Sequence, residues 1–327
     1  MRRRLFTTVL AAALGFALAG EARELKFGHV AAPGSLFDLS ANAFAELANK
    51  RLAEAGYDDW TITVFGASQL GNDKELLQKL KLGTVDFSLP STVMSSVADE
   101  FGLFEMPYLV KDRAHMARIE KEIFWDRIAP AARAKGYEIL AVWENGFRHI
   151  TNNVRPITVP EDLEGIKLRT PRGKWRVRMF ELYGANPTPM AFSEVFVALQ
   201  TGVIDGQENP LAQIWSAKFQ EVQKYLSLTG HVYTPAYVTV GAKSWAKIPE
   251  EVRTIITRAA RDNQAFVYET AARLENELLG KLEASGMQVN EADKAAFVAA
   301  STPIYETFAK EVEGGAEMIA KAQALAE

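Results

Sequence analysis

Two arginines follow apolar, strand-like segments in the middle of the chain. Arg148 lies in ENGFRHITNN, just after a glycine that indicates a turn, and Arg169 ends the strand-like segment GIKLRTP, which Pro171 stops. A guanidinium group offers a planar fork of donors that matches a carboxylate in a bidentate pair. Because ligands of open α/β sheets bind beyond the carboxyl ends of the strands, we expect Arg169 to bind an organic acid. A surface arginine in each strand is the alternative interpretation.

The segment ALQTGVIDGQENP, which ends at Pro210, places polar side chains directly after a short apolar run. Asn209 can donate and accept hydrogen bonds, while Pro210 fixes the backbone beside it and removes an N–H. In PTPMAFSE, Phe192 lies where a helix should begin, with Ser193 as the expected N-cap. A plain turn and a core contact are the alternatives, but together these residues suggest one wall of a ligand cleft.

Motifs for catalysis or metal binding are missing from the sequence. GASQLG falls short of G-x-S-x-G, and there is no P-loop, G-x-G-x-x-G or H-E-x-x-H. The chain has no cysteine, and its four histidines lack metal-ligand spacing. Acid–base catalysis by paired carboxylates stays open, although no pair stands out. The residues therefore give no basis for predicting an enzymatic activity, a cofactor or a metal site.

Length, charge and the N-terminus indicate an exported protein of two domains. The 327 residues exceed what one compact core usually supports. A net charge of −4 without a long basic run argues against nucleic acid as a partner. Residues 1–22 combine three arginines with a short apolar run and an A-x-A site, which is typical of a cleaved signal peptide; a retained membrane anchor is the alternative. We expect a soluble protein in the periplasm.

Strands and helices alternate along the rest of the chain, which predicts an α/β fold with mostly parallel pairing. Ser35 is expected to cap one helix, and Asn72 with Glu75 to form the capping box of another. After Pro249, apolar residues at helical spacing predict one long helix that extends to about Gly286. At 1.5 Å per residue such a helix is roughly 50 Å long, which is enough to lie along two lobes.

Two segments of the chain resemble one another. LKLGTVD, which ends at Asp86, and LQTGVID, which ends at Asp205, share the pattern L-x-x-G-x-[VI]-D. Each predicts a helix end, a glycine stop and a short strand. The repeat is either chance similarity of a common connection or a sign that two lobes share one topology.

Taken together, longer segments of the chain resemble the DctP-type solute-binding proteins of TRAP (tripartite ATP-independent periplasmic) transporters. The segments are GFRHITNN, PEDLEGIKLRTP, YGANPTPMAFSEVFVALQTGVIDGQENPL, KFQEVQKYLSLTGH, SQLGNDKELLQKLKLGTVDFS and FEMPYLVKDRAH. The resemblance covers essentially the whole chain after the leader. It implies a binding protein that captures an organic acid in the periplasm and delivers it to separate small and large membrane subunits of a permease.

The resemblance implies a two-lobe periplasmic-binding-protein-like α/β fold, with hinge strands and a long helix shared by both lobes. We expect the first lobe to comprise residues 23–145 and 235–274, and the second lobe residues 146–234 and 275–327. We also expect a monomer.

The resemblance also implies roles for individual residues. Arg169 is expected to form the principal salt bridge to the ligand carboxylate, and Arg148 to assist it. Ser91 stands where sialic-acid-binding members carry an acidic residue, which argues against sialate. The expected ligand-binding residues are Arg169, Arg148, Asn209, Phe192, Asp73, Ser91 and His29.

The identity of the ligand stays open at this point. A sugar acid or a C4-dicarboxylate is favoured, and a 2-oxo or 2-hydroxy monocarboxylate would also suit one arginine. Arg172 and Lys174 are candidates for holding a second carboxylate, although a solvated helix start is the simpler interpretation. The alternative functions are a sensor that presents its ligand to a receptor and a periplasmic enzyme that acts on organic acids.

Overall fold

The computed structural model describes residues 23–326, so the expected signal peptide, residues 1–22, lies outside the described residues. In the described range, no helix is both long and apolar enough to span a membrane. The strands are β1 (Arg23–Gly28), β2 (Trp60–Phe65), β3 (Phe87–Ser88), β4 (Tyr137–Phe147), β5 (His149–Asn152), β6 (Lys167–Thr170), β7 (Asn186–Pro189), β8 (Gly206–Asn209), β9 (Tyr225–Leu228), β10 (Tyr233–Gly241) and β11 (Gln288–Glu291).

Helices connect these strands and cover the sheets. The α-helices are α1 (Leu36–Glu54), α2 (Asp73–Leu82), α3 (Arg113–Ile119), α4 (Ala129–Ala134), α5 (Lys174–Leu182), α6 (Val195–Gln200), α7 (Leu211–Ser216), α8 (Ala242–Trp245), α9 (Glu250–Asp262), α10 (Gln264–Ala284), α11 (Lys294–Ala300), α12 (Thr302–Glu311) and α13 (Gly315–Ala324). A π-helical segment, Glu120–Ile128, joins α3 to α4. Short 3-10 turns lie at Thr92–Ser96, Asp99–Glu105, Pro160–Leu163, Phe192–Glu194 and Phe219–Glu221.

Two mixed sheets form the centres of two lobes, which confirms the two-lobe α/β architecture expected from the sequence. The strand order is β2-β1-β3-β10-β4 in the first lobe and β11-β9-β5-β8-β6-β7 in the second. The expectation of mostly parallel pairing is only partly met, because β10 pairs antiparallel with β3 and β4, and β5 pairs antiparallel with β8 and β9. The chain passes between the lobes almost directly from β4 into β5 and from β9 into β10. Of these four hinge strands, β5 and β10 run against the strands of the βαβ units, whereas β4 and β9 run in the same direction as those strands.

The predicted assignment of chain segments to the two lobes stays a prediction. β11 joins the second sheet, as the assignment of residues 275–327 to the second lobe requires. By contrast, Phe308 of α12 and Met318 of α13 belong to a core cluster that contains Ile123 and Phe124 of the first lobe. α13 thus packs on the segments Asp99–Glu105 and Glu120–Ile128 of the first lobe, whereas α12 packs against α13 and against α5 of the second lobe.

The helix starts predicted from Ser35 and from Asn72 with Glu75 are confirmed. The Ser35 hydroxyl accepts a hydrogen bond from the N–H of Asp38 at 3.2 Å, at the start of α1. Asn72 Oδ1 accepts from the N–H of Glu75 at 3.2 Å, and Glu75 Oε2 accepts from the N–H of Asn72 at 2.9 Å, which completes the capping box of α2. These bonds satisfy N–H groups that a helix start leaves without partners. They fix where both helices begin.

The two repeated segments form the same local structure. In each, a glycine with a φ of 72° or 71° ends the helix in the left-handed conformation that glycine adopts without strain. Asp86 Oδ2 then accepts a hydrogen bond from the N–H of Lys26 at 2.8 Å, and Asp205 Oδ2 accepts from the N–H of Lys167 at 2.8 Å. Each aspartate thus ties its turn to the backbone of the neighbouring strand, β1 in one lobe and β6 in the other.

The single long helix predicted after Pro249 is two helices, α9 and α10, which meet at Asn263. The Asn263 side chain donates to the carbonyl of Ser40 in α1 at 3.0 Å, a tertiary contact that the local sequence does not show. α10 packs against α1 and β4 of the first lobe and against α7 of the second. The expected helix shared by both lobes is therefore confirmed, and α10 provides it.

Three buried histidines make the stability of the fold depend on pH. Burial lowers the pKa of His149 to about 3 and the pKa values of His29 and His231 to about 4. The folded protein keeps these rings neutral, whereas the unfolded chain protonates them below about pH 6.5. Stability is therefore greatest above that pH and falls as the pH drops towards 4, by at most about 1.4 kcal/mol per histidine and pH unit.

Urea unfolding of His149→Gln at pH 7.5 and pH 5.0 checks this expectation. The glutamine can still accept the hydrogen bond that Gly230 N–H donates to His149 Nδ1 at 3.2 Å. We expect the wild type to lose more stability than the variant between the two pH values, because only the wild type has a proton to bind on unfolding at this position. Equal losses would contradict the prediction.

Candidate ligand-binding site

A cavity of about 640 Å³, including space open to solvent, lies between the lobes. β1, β6 and β8 end at its walls, and α2 begins there, so it occupies the position where ligands of α/β sheets bind. The residues that line it are Val30, Phe37, Asn72, Asp73, Lys74, Ser91, Thr92, Val93, Asn145, Arg148, Arg169, Pro171, Arg172, Met190, Ala191, Phe192, Asn209 and Gln213.

Six of the seven predicted ligand-binding residues line this cavity. These six are Arg169, Arg148, Asn209, Phe192, Asp73 and Ser91. His29 is not among the lining residues: its ring is buried against Gly66, with Nε2 3.7 Å from Asp38 Oδ1. Its predicted role in ligand binding therefore has no support from a contact with the cavity.

Arg169, at the end of β6, is held by backbone rather than by a carboxylate. Its Nε and Nη2 donate to the carbonyl of Met190 at 3.2 and 2.8 Å, and its guanidinium carbon lies 5.9 Å from the centre of the Phe192 ring. Among residues 23–326, no acceptor lies within hydrogen-bond distance of Nη1. Burial lowers the pKa of Arg169 to about 10, only partly offset by Glu208. An anion in the cavity would stabilise this buried charge.

Phe192 lies in a short 3-10 turn before α6, and the predicted N-cap Ser193 is wrong. Ser193 lies inside the turn, and its side chain makes no capping hydrogen bond there. Instead, the carboxylate of Glu194 accepts from the N–H of Ala191 at 2.9 Å. The longer side chain reaches back to the start of the turn and fixes the backbone beside the Phe192 ring.

Arg148 lines the cavity but is largely committed to internal partners. The predicted turn before it is the end of β4, and its Nε and Nη2 donate to the two carboxylate oxygens of Glu208 at 2.5 and 2.9 Å. Nη2 also lies 3.1 Å from Asn209 Oδ1, and Asn209 Nδ2 donates to Gln207 Oε1 at 2.5 Å. Only Nη1 of Arg148 has no acceptor in the described part of the chain. Arg148 thus fixes the orientation of the Asn209 amide.

Glu208 is the centre of a buried charge network that the sequence did not suggest. It also accepts from Arg176 Nη1 at 2.6 Å and lies 3.1 Å from His231 Nε2. Burial alone would raise the pKa of Glu208, but the charges of Arg148 and Arg176 outweigh it and hold the pKa well below its ordinary value. The segment QENP looked like a turn because these partners come from distant parts of the sequence.

The network extends from the second lobe into the first. Arg176 Nη2, on α5, lies 2.7 Å from Glu105 Oε2, which belongs to a 3-10 turn of the first lobe. Three buried guanidinium groups, of Arg148, Arg169 and Arg176, are therefore matched by two buried carboxylates, of Glu105 and Glu208. The surplus positive charge belongs to Arg169, since the other two arginines are paired directly.

Asp73 faces the same cavity from the first lobe, at the first position of α2. Burial raises its pKa to about 6, while Arg169 and Arg172 act in the opposite direction. Most molecules therefore carry a charged Asp73 at neutral pH. Within the described residues, no cation lies within 4 Å of this carboxylate and no other side chain donates to it. Apart from its own backbone N–H, the Asp73 carboxylate has no hydrogen-bond donor within the described residues.

The two candidates for holding a second carboxylate occupy different places. Arg172 lines the cavity but is exposed at its rim. Lys174 does not line the cavity, and its Nζ lies 2.9 Å from Asp99 Oδ1 and 3.9 Å from Glu311 Oε2. In the part of the chain that the structure describes, no group of three or more His, Asp or Glu side chains is arranged to hold a metal ion.

Comparison with known proteins shows which family the sequence matches. The sequence model of the family described as "Bacterial extracellular solute-binding protein, family 7" (DctP) matches residues 27–311. The C4-dicarboxylate-binding periplasmic protein DctP of Rhodobacter capsulatus is 33% identical over 323 residues, which cover 97% of this chain and 95% of that protein.

Solved structures with bound ligands are also similar to this chain. A TRAP periplasmic solute-binding protein from a Polaromonas species, bound to D-erythronate, has a TM-score of 0.87 and 36% identity, with 92% of this chain and 98% of that one covered. The sugar acid-binding protein DctPAm from Advenella mimigardefordensis, in complex with galactonate, has a TM-score of 0.88 and 32% identity, with 94% and 98% covered.

Proposed function

This chain belongs to family 7 of the bacterial extracellular solute-binding proteins, and on that premise we propose that it captures a sugar acid or a C4-dicarboxylate in its inter-lobe cavity. The similar proteins support this ligand class, because one is named for C4-dicarboxylate binding and two hold D-erythronate or galactonate. Solute-binding proteins of this family work with TRAP membrane permeases. We propose that this chain acts as a monomer in the periplasm and delivers its ligand unchanged to the small and large permease subunits.

One observation carries the proposal: Arg169 is buried in the cavity wall, and residues 23–326 provide neither an acceptor for its Nη1 nor a carboxylate paired with it. A ligand carboxylate would accept from Nη1 of Arg169 and from Nη1 of Arg148, with Asn209 Nδ2 as a third donor. Hydrogen bonds to charged groups contribute about 1.5–3 kcal/mol each. Phe192 would pack against the ligand on the same wall, as its place beside Arg169 suggests.

The same groups supply a reason for closure. In an open form, Arg169 would face water while Asp73 and Thr92 lie on the other lobe. A bound carboxylate compensates the Arg169 charge, and the remainder of the ligand reaches the first-lobe wall only when the lobes close. The ligand therefore has a higher affinity for the closed form, and this difference shifts the population towards it.

Thermal unfolding of the mature chain with a library of organic acids tests the proposed function. A true ligand at 100 times its Kd should stabilise the folded state by about 2.7 kcal/mol. Mass spectrometry of the mixture should recover the ligand unchanged. No stabilisation by any sugar acid or dicarboxylate would refute the proposal, and a converted product would favour an enzyme.

A further inference from the structure

The cavity contains polar groups that other side chains in the described part of the chain leave free. The free donors are Nη1 of Arg169, Nη1 of Arg148 and the second N–H of Asn209, which all belong to the second lobe. The free acceptors are the Asp73 carboxylate, on α2 of the first lobe, and Oε1 of Gln213, on α7 of the second, a residue that sequence analysis did not single out. These donors and acceptors constrain the chemistry of the ligand.

The Gln213 amide is oriented by a relay of hydrogen bonds. Ser91 Oγ lies 2.7 Å from the carbonyl of Pro235, which can only accept, so the Ser91 hydroxyl must donate to it. Ser91 Oγ can then only accept from Asn145 Nδ2, at 3.4 Å. This bond orients the Asn145 amide so that its Oδ1 accepts from Gln213 Nε2 at 3.2 Å. Gln213 Oε1 is left over as an acceptor.

Among the polar groups of the cavity, those of Gln213 and Thr92 are buried, whereas Asp73 is half-buried. Gln213 is 4% exposed and Thr92 is 6% exposed, and neither Gln213 Oε1 nor Thr92 Oγ1 has a hydrogen-bond partner within residues 23–326. Leaving a buried acceptor unsatisfied costs about 1–3 kcal/mol. A ligand that brings hydroxyl protons to Asp73 and Gln213 removes this cost, with Thr92 able to donate or accept as needed.

A second carboxylate on the ligand would not satisfy these groups. It carries no proton at neutral pH, and it would face the negative charge of Asp73. The cavity has one buried guanidinium without a carboxylate, that of Arg169, and the remaining cations at its edge, Arg172 and Lys74, are exposed to water. Water screens such exposed charges, so they compensate poorly for the repulsion.

We propose that the ligand is a monocarboxylate with hydroxyl groups for both Asp73 and Gln213, such as an aldonate, and that these two residues select against dicarboxylates. The inference rests on the proposed function and narrows its ligand class. The ligand carboxylate binds Arg169, and the hydroxyl-bearing part of the ligand donates to Asp73 and Gln213.

Calorimetric titration with matched acids tests the selection. D-Erythronate and D-galactonate are compared with succinate and galactarate, the last of which differs from galactonate only in a carboxylate at the terminal carbon. We expect the better aldonate to bind at least about 100-fold more tightly than either dicarboxylate, because sites built for hydroxyl groups discriminate strongly.

A dicarboxylate that binds within 100-fold of the better aldonate overturns the inference but leaves the proposed function intact. Binding of none of the four acids overturns the inference, and only failure of the whole library refutes the proposed function.

Three variants distinguish a loss of selection between aldonates and dicarboxylates from general damage to the site. In Asp73→Asn the amide can donate to a carboxylate, so we expect the ratio of aldonate to dicarboxylate affinity to fall at least tenfold. Gln213→Met removes the second acceptor and should weaken aldonate binding without improving dicarboxylate binding. Asp126→Asn, an exposed acid-to-amide change away from the cavity, is the matched control. An unchanged affinity ratio in Asp73→Asn, with an unaltered unfolding temperature of the free protein, contradicts the inference.

Discussion

Replacement of Arg169 by alanine should abolish the ligand-induced rise in unfolding temperature and lower the affinity for the ligand by about 10²–10⁴-fold. This range corresponds to the cost of breaking a buried ion pair by removing one partner, about 3–5 kcal/mol, because the ligand carboxylate would lose the Arg169 charge. The loss should not be a folding defect, because Arg169 forms no ion pair within 4 Å in the described structure and burial already disfavours its charge. Calorimetric titration and thermal unfolding of the same samples measure both quantities.

Arg172→Ala is the matched control for this experiment. Arg172 lines the same cavity but is exposed, so the removal of its guanidinium should change the affinity far less. Retention of tight binding by Arg169→Ala would show that the ligand carboxylate is anchored elsewhere, and the assignment of the site would have to be abandoned.

Replacement of Glu208 by glutamine should have the largest effect on stability. The change leaves Arg148 and Arg176 buried beside a neutral amide, and breaking a buried ion pair in this way typically costs about 3–5 kcal/mol. Urea unfolding at neutral pH measures the loss. Glu311→Gln is the control, since Glu311 pairs with Arg178 on the surface, where little change is expected. A Glu208→Gln protein as stable as the wild type would refute the importance of the network.

The same substitution should also change the response to acid. The two guanidinium groups hold the pKa of Glu208 below the value it has in the unfolded chain. Its contribution to stability is therefore complete above that unfolded-state pKa and is lost as the pH falls through the lower, folded-state pKa. Glutamine cannot be protonated in this way, so the stability of the variant should fall less steeply on the acid side. Equal slopes below pH 4 would contradict this assignment.

The network also indicates why the second lobe presents a preformed donor surface. Arg148 and Glu208 fix Asn209 from behind, while the Met190 carbonyl fixes Arg169. Both anchors lie within the wall, so the donors are oriented before a ligand arrives. Preorganisation of this kind lowers the entropy that binding must overcome.

Local features of the fold could be predicted from the sequence because neighbouring residues determine them. Ser35, Asn72 and Glu75 cap helices through bonds to N–H groups two or three residues away, and Gly83 and Gly202 end helices in the left-handed conformation. The family resemblance, the two-lobe α/β class and the placement of Arg169 beyond a strand also followed from contiguous segments. These predictions needed no knowledge of distant contacts.

The tertiary structure alone decided which polar residues are free and which are paired. Arg148 and Arg169 look alike in the sequence, yet Glu208 pairs with the first and no carboxylate lies within 4 Å of the second in the described chain. Gln213 became a candidate only through hydrogen bonds that join four distant segments of the chain. His29 does not line the cavity, because its ring packs against Gly66. The physical reason is that burial and pairing depend on groups far apart in the chain, whereas caps and turns depend on neighbours.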